Sequence, residues 1–168
     1  MHDDPSANNW SVAVNALDGG YFLTSLSPTT PPDEEWTPTL FPKNPGEALA
    51  DGAIASINIL GTDEERVLLS CIAMNSAPSE GEIQGRVDRG AHLVTFALEA
   101  AGPILVVGND LEEQATFAPR LTSPLRLDCL IYMVMEPDLL YPGDPVEQHH
   151  LRMWPADDAV HVKPWWID

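Results

Sequence analysis

Residues Leu125 to Glu136 read LRLDCLIYMVME, the longest apolar run in the chain, and Pro124 and Pro137 fence it at both ends. Its odd positions, Leu125, Leu127, Cys129, Ile131, Met133 and Met135, are all apolar. Its even positions begin polar at Arg126 and Asp128 and turn apolar at Leu130, Tyr132 and Val134. Side chains on a strand alternate faces. As a strand, this stretch has one face wholly in the core and another that passes from wet to dry along its length. A helix of the same length competes, because the two periods blur in short apolar runs. The flanking prolines and the strand-like neighbours favour a strand, central in its sheet and next to the one that carries Leu151 and Met153.

Working outward, the neighbours carry the same signature. Trp10 to Leu17 alternates apolar and small polar residues, and Asp18-Gly19-Gly20 supplies the positive-φ residues of a tight turn before Tyr21 to Leu26. Residues 1–9 are polar and expected to be loose. Ser27 to Pro45 holds six prolines in 19 residues. Proline at that density removes backbone donors, which makes 27–45 a surface loop. Glu47 to Asp51 is expected to form one helical turn. Gly52 to Leu60 and Arg66 to Met74 read as a hairpin across the polar link Gly61 to Glu65. Val67, Leu69, Cys71 and Ala73 share one face of the second strand.

Further along, Ser76 to Gly90 is polar and turn-rich, with Glu82 to Val87 as an edge strand. His92 to Glu99 points Val94, Phe96 and Leu98 inward, and Ile104 to Val107 forms the next strand. Asp110 and Glu113 fit a capping box, so Leu111 to Thr116 is read as a short helix. Asp138 to Gln148 is a long acidic loop, followed by a strand at His149 to Trp154 and a last short one at Val160 to Val162. Strands every 8 to 14 residues, turn signals between them and little helix predict an all-β chain: a single β-sandwich domain over residues 1–168, with roughly seven to nine mostly antiparallel strands.

The 168 residues are enough to bury a core. Eight Lys and Arg stand against 26 Asp and Glu, a net charge of −18. Such a chain repels nucleic acid and anionic membranes, which call for basic patches, and attracts a basic protein. Solubility, or a salt-adapted source, accounts for acidity equally well. The acids are spread among loops, so they belong to the folded surface. No run reaches the roughly 20 apolar residues that span a bilayer, and the opening residues lack the pattern of a signal peptide. A soluble cytoplasmic protein is the expectation. Cys71 and Cys129 fall inside buried strands and read as reduced thiols acting as small hydrophobes.

Motifs for chemistry are absent: no GxSxG, no phosphate-cradling glycine loop, no HExxH and no calcium-loop spacing. His149 and His150 are adjacent on a strand and point to opposite faces. Together with His92 they leave open a β-barrel metal- or ligand-binding protein or an enzyme. No metal or cofactor is expected. Asp128 is expected to pair with Arg126, Arg152 or a backbone donor. Among the five tryptophans, Trp165 and Trp166 read as a terminal staple or as a partner contact.

One stretch carries a resemblance. Asp88-Arg89-Gly90-Ala91-His92-Leu93-Val94 is followed by Pro103-Ile104-Leu105-Val106-Val107-Gly108, the proline-fenced strand, an acidic loop and Glu147-Gln148-His149-His150-Leu151-Arg152-Met153-Trp154-Pro155-Ala156. The closing Leu-x-x-Trp-Pro-Ala resembles the end of the competence protein J family. Thr122 to Arg126 departs from that family's entrance to the long strand, keeping only Pro124 and Arg126. The family comprises small acidic bacterial inhibitors of a nuclease that works on incoming DNA, and its relatives look like immunity proteins. The resemblance implies a non-enzymatic inhibitor or immunity protein that blocks a basic enzyme, foremost a nuclease or toxin. Trp154 and Pro155 are expected to be structural, the tryptophan plugging the sandwich end. The partner-facing residues are expected in two acidic stretches, Asp33, Glu34, Glu35 and Trp36 in one and Asp138, Asp144 and Glu147 in the other. An accessory domain with no site is the remaining reading.

Overall fold

The computed structural model describes residues 9–16, 19–25, 42–61, 66–74, 76–100, 104–108, 113–117, 125–135 and 146–156. Among them are ten strands and one helix. In chain order these are β1 (Asn9–Asn15), β2 (Gly20–Ser25), β3 (Ala48–Asp51), β4 (Ile54–Asn58), β5 (Arg66–Ala73), α1 (Glu80–Asp88), β6 (His92–Ala100), β7 (Ile104–Gly108), β8 (Glu113–Phe117), β9 (Leu125–Met135) and β10 (Glu147–Pro155). They form two five-stranded sheets, ordered β1-β5-β10-β9-β6 and β3-β4-β2-β7-β8. Every pairing is antiparallel except β5 with β10, which run parallel. The all-β expectation holds.

The opening stretch does what its pattern dictates. Leu127, Cys129, Ile131 and Met133 are fully buried between the sheets. On the other face Arg126 is exposed and Asp128 half-buried, while Leu130, Tyr132 and Val134 are buried. β9 lies between β10 and β6, so it is interior, although the middle position belongs to β10. Val67, Leu69, Cys71 and Ala73 from β5, Leu98 from β6 and Leu151 and Met153 from β10 complete this wall of the core. Tyr21, Leu23, Ala55, Ile57, Ile104 and Val106 form the facing wall. Both cysteines are buried and free, as expected.

Helix α1 covers the second face of β9 at Tyr132. The guanidinium of Arg86 lies 5.3 Å from the centre of the Tyr132 ring, and that of Arg152 lies 5.6 Å from it. Glu82 bridges to Arg152 at 3.0 Å. Ser79 caps the helix, its hydroxyl accepting from the Glu82 amide at 3.2 Å.

Four local expectations are corrected. Residues 82–87, read as an edge strand, lie in α1; Ser79 and Glu82 are the capping-box pair that marks its start. Residues 113–116, read as helix behind a capping box at Asp110, form β8, because β7 offers them a free edge. Residues 48–51 are a strand paired to β4 rather than a helical turn. The expected hairpin of residues 52–60 and 66–74 is not a hairpin: β4 and β5 belong to opposite sheets, and the polar link crosses the sandwich. Trp154 also differs. It faces the outer side of the first sheet, beside Thr95, Ala97, Arg126 and Asp128, rather than plugging the sandwich end. Pro155 does end its strand. Residues 160–162, 165 and 166 lie outside the described residues.

Because the core face of β9 is set by odd positions alone, two substitutions of equal parity should separate cleanly. Ile131→Ala, at a fully buried position, should cost about 2 to 5 kcal/mol. Met135→Ala, at a position 48% exposed, should change stability by less than about 0.5 kcal/mol. Urea midpoints with unchanged slopes report both, and equal losses would contradict the burial of one position and the exposure of the other.

Candidate functional site

The first residues of β10 carry an uncommon pattern for a core face. Faces alternate, so Glu147 and His149 point inward with Leu151 and Met153, and both polar side chains are fully buried. A carboxylate in that position needs donors, and three are aimed at it. The amide of Leu60 lies 2.9 Å from Oε2, the amide of Gly61 lies 2.7 Å from Oε1, and His149 Nε2 lies 2.5 Å from Oε2. On its other side the imidazole meets Tyr21, whose hydroxyl is 2.7 Å from Nδ1.

Electrostatics assign the protons. Burial pushes the Tyr21 phenol well above its ordinary value, and the neighbouring Cys71 and Glu147 add to that. Tyr21 therefore keeps its hydrogen, and in the tautomer that turns the imidazole hydrogen on Nε2 toward Glu147 the phenol donates to Nδ1. Burial alone would raise the Glu147 carboxyl. The hydrogen bonds from His149, Gly61 and Leu60 outweigh it and hold the group below its ordinary value of 4.5. The trio joins β10 of the first sheet to β2 of the second, and through the Leu60 and Gly61 amides it fixes the start of the β4–β5 crossing.

Around this anchor, one end of the sandwich is tied together. Ile59 donates its amide to the Gly19 carbonyl at 2.9 Å, and Gly46 donates to the Ile59 carbonyl at 3.0 Å. Asn58 Nδ2 donates to the carbonyls of Pro42 at 2.9 Å and Asn44 at 3.1 Å. His92 Nε2 donates to the Gly46 carbonyl at 2.8 Å. A Cβ on Gly46 would stand 2.6 Å from a Leu60 methyl, and its φ of +71° already excludes most side chains.

The strand registers show which connections leave from this end. Asn15 pairs with Arg66, Gly20 with Asn58, Tyr21 with Gly108 and Met135 with Glu147. The chain joining these strand ends is residues 17–18, 62–65, 109–112 and 136–145, of which only the flanking strand ends are described. In sequence the four segments hold nine carboxylates, Asp18, Asp63, Glu64, Glu65, Asp110, Glu112, Glu136, Asp138 and Asp144, and no lysine or arginine. At the opposite end, segments 101–103 and 118–124 hold no acid and one arginine, Arg120. The sequence before Asn9 and after Ala156 adds five aspartates and one lysine.

Three comparisons with known proteins bear on this architecture. No protein-family model matches the chain, and no curated protein matches it in sequence. Among solved structures there is a match to ComJ of Bacillus subtilis, described as an inhibitor of the DNA degrading activity of NucA. The two align with a TM-score of 0.54 and 10% identity, over 88% of this chain and 96% of the other. The chain is similar in fold to ComJ. The likeness foreshadowed by Leu151, Trp154, Pro155 and Ala156 is thus met at the level of the sandwich.

Within this ComJ-like fold the expected site residues fall into two groups. Asp33, Glu34, Glu35, Trp36, Asp138 and Asp144 lie outside the described residues. Glu147 is described, and it corrects the expectation: it belongs to β10 rather than to the acidic loop, and alternation turns it into the core. Its carboxylate is an internal anchor, not a surface contact. The histidines do not converge. His149 is buried, His150 points to the opposite face, and His92 is separated from His149 by β9. Among the described residues, no group of three or more His, Cys, Asp or Glu side chains could hold a metal. Asp128 sits by the exposed Arg126, 3.8 Å away, on the rim of a hollow of about 400 Å³. No helix of the described residues is long and apolar enough to cross a membrane. The sequence signal of the buried trio is Glu-x-His on a strand, which places two polar groups on one face.

The anchor makes a pH-dependent prediction. Folding holds the Glu147 carboxyl below its ordinary value, so the unfolded chain takes the proton first as pH falls. Its contribution is complete above the ordinary carboxylate range and is lost as pH drops through the lower folded value. Glu147→Gln removes the charge and replaces one acceptor oxygen by an NH2, which must face either the backbone amides or His149, and should cost about 1.5 to 3 kcal/mol at neutral pH. Urea midpoints across pH should show the two proteins converging in acid. A variant with the wild-type midpoint at pH 7 would refute the role.

Proposed function

We propose that this chain is a protein inhibitor, not an enzyme, and that it blocks a basic DNA-degrading nuclease by presenting the acid-rich end of its sandwich. The observation that carries the reading is the gathering of nine carboxylates and no cation on four connections tied to one end. A nuclease holds its substrate by neutralising phosphates. A rigid body with carboxylates projecting from one end competes for the same cationic groove. The fold likeness to ComJ, an inhibitor of the DNA degrading activity of NucA, supports the same reading.

Each part of the chain has a place in this scheme. Asp138 and Asp144, with Asp63, Glu64 and Glu65, are the phosphate-mimicking contacts. Asp33, Glu34 and Glu35 extend them, and Trp36 is the aromatic anchor that adds affinity beyond charge. Glu147 works from inside: by holding the Leu60 and Gly61 amides, it fixes where the 62–65 segment leaves the sheet. Steering by this charge speeds encounter, and salt weakens it because the Debye length is about 8 Å at physiological ionic strength. A soluble cytoplasmic setting would keep the chain beside its own cell's nuclease and toxin targets.

The test is plasmid degradation by a panel of cationic DNA-degrading nucleases, NucA included, titrated with the purified chain. Inhibition should be stoichiometric and weaken steeply with salt. Replacing Asp63, Glu64 and Glu65 by Asn and Gln should raise the concentration needed at least about tenfold. The same change at Asp157 and Asp158, which follow the opposite end of β10, should not. Salt-insensitive inhibition, or no inhibition of any member, would overturn the proposal.

A further inference from the structure

A helix is tied to a sheet by buried apolar side chains, by backbone hydrogen bonds to its neighbours, or by polar side-chain contacts. α1 lacks the first: none of its nine residues is buried, and Val87, one of its two apolar side chains, is 41% exposed. It lacks the second as well. The described backbone hydrogen bonds at its ends close within its own segment. Ile83 donates to the Ser79 carbonyl at 3.0 Å, Arg89 to Arg86 at 3.2 Å, Gly90 to Val87 at 2.9 Å and Ala91 to Arg86 at 3.0 Å. None of these groups pairs with a strand. The side of α1 that carries Glu80, Gly81, Gln84 and Asp88 is exposed.

Two side-chain contacts remain. The Glu82 carboxylate meets Arg152 at 3.0 Å, and the Arg86 guanidinium lies over the Tyr132 ring. Closure works against them. Tyr132 has no exposed surface, and its hydroxyl has no hydrogen-bond partner among the described residues. Nε of the same Arg152 that Glu82 holds has none either. A buried polar group left unpaired costs as much as one or two polar contacts return. Opening gives both groups to water. Where α1 joins β6, Gly90 stands at φ +93° with nothing near its Cβ position, a backbone region that glycine enters and leaves freely.

We propose that α1 is a hinged cover, which swings off Tyr132 about Gly90 while the two sheets stay folded. Undocked, a segment of nine residues with two glycines does not sustain a helix in water, so the opened cover also unwinds. Opening leaves every strand pairing in place and exposes the Tyr132 ring. None of this depends on the nuclease reading, which concerns one end of the sandwich.

Tyr21 and Tyr132, both without exposed surface, provide the test with its own control. Tyr21 is reached only when the sheets part, whereas Tyr132 is reached when α1 opens. Treatment of the folded chain with N-acetylimidazole, followed by peptide mass spectrometry, should show Tyr132 acetylated at least about tenfold faster than Tyr21. Amide hydrogen exchange should show residues 83–88 protected at least about a hundredfold less than β9 and β10, yet more than an unstructured chain. Glu82→Gln breaks the ion pair and should speed both α1 exchange and Tyr132 acetylation at least about threefold, with β9 and β10 unchanged. Tyr132→Phe keeps a ring beneath Arg86 and removes the unpaired hydroxyl, and should slow α1 exchange at least about threefold. Circular dichroism and the urea midpoint establish that both variants fold. Equal acetylation of the two tyrosines, an α1 protected like β9 or not at all, or a Glu82→Gln variant that exchanges like wild type would overturn the proposal. So would unchanged or faster α1 exchange in Tyr132→Phe.

Discussion

A buried carboxylate dictates more of this sandwich than any apolar contact. Glu147 has no exposed surface, and an ion so placed is tolerated only where donors surround it. Two of its three donors are backbone amides at the end of β4's strand path, and the third is an imidazole held by a tyrosine from the facing sheet. Apolar packing tolerates substitution and small shifts. Three directed hydrogen bonds do not. The sheets can slide over a leucine surface by a fraction of a residue, but such a slide strands the carboxylate. The polar trio therefore sets the relative position of the sheets at one end, and the apolar wall of Leu69, Ile131, Leu151 and Ile57 fills in behind it.

The opposite face of the first sheet uses a different solution. α1 contains two glycines in nine residues and buries no side chain of its own, so propensity and apolar burial contribute little to holding it. What holds it is polar: Arg86 over Tyr132, Glu82 against Arg152, and the Ser79 cap. The Tyr132 hydroxyl has no hydrogen-bond partner among the described residues. A cover secured by one ion pair and one cation–π contact, rather than by an apolar stripe, is held at few points and is the cheapest part of the described structure to displace.

How much was legible follows from these two faces. β9 announced both of its own: the apolar odd positions put one in the core, and the change from Arg126 and Asp128 to Leu130, Tyr132 and Val134 announced that something covers the other. The cover could not be read from periodicity, because α1 carries only two apolar side chains, Ile83 and Val87. Its signal was the capping pair Ser79 and Glu82, and the same pair of residue types at Asp110 and Glu113 pointed to a helix where β7 recruits a strand. A cap is a local preference, and an available sheet edge overrides it. The false hairpin has a similar cause. Short polar links look alike whether the chain turns back within a sheet or crosses between sheets, and only partners distant in sequence, Gly20 for β4 and His149 for β5, decide between the two.

The same limit applied to Glu147. Beside Asp138 and Asp144 it looked like one more surface acid, since composition counts charges and cannot say which way they face. Parity could say it: residue 147 shares its face with Leu151 and Met153, whose burial was expected. Carried through, that argument sets Glu147, which organises the fold, apart from the acids of the connecting segments. The organising carboxylate holds the amides of Leu60 and Gly61, which in sequence directly precede Asp63, Glu64 and Glu65, and the order of strands starts three further acid-bearing connections from the same end. Net charge alone is compatible with solubility. Charge gathered by topology at one end, over a base fixed by directed hydrogen bonds, is a stronger argument for recognition, because solubility makes no demand on where the charges are placed.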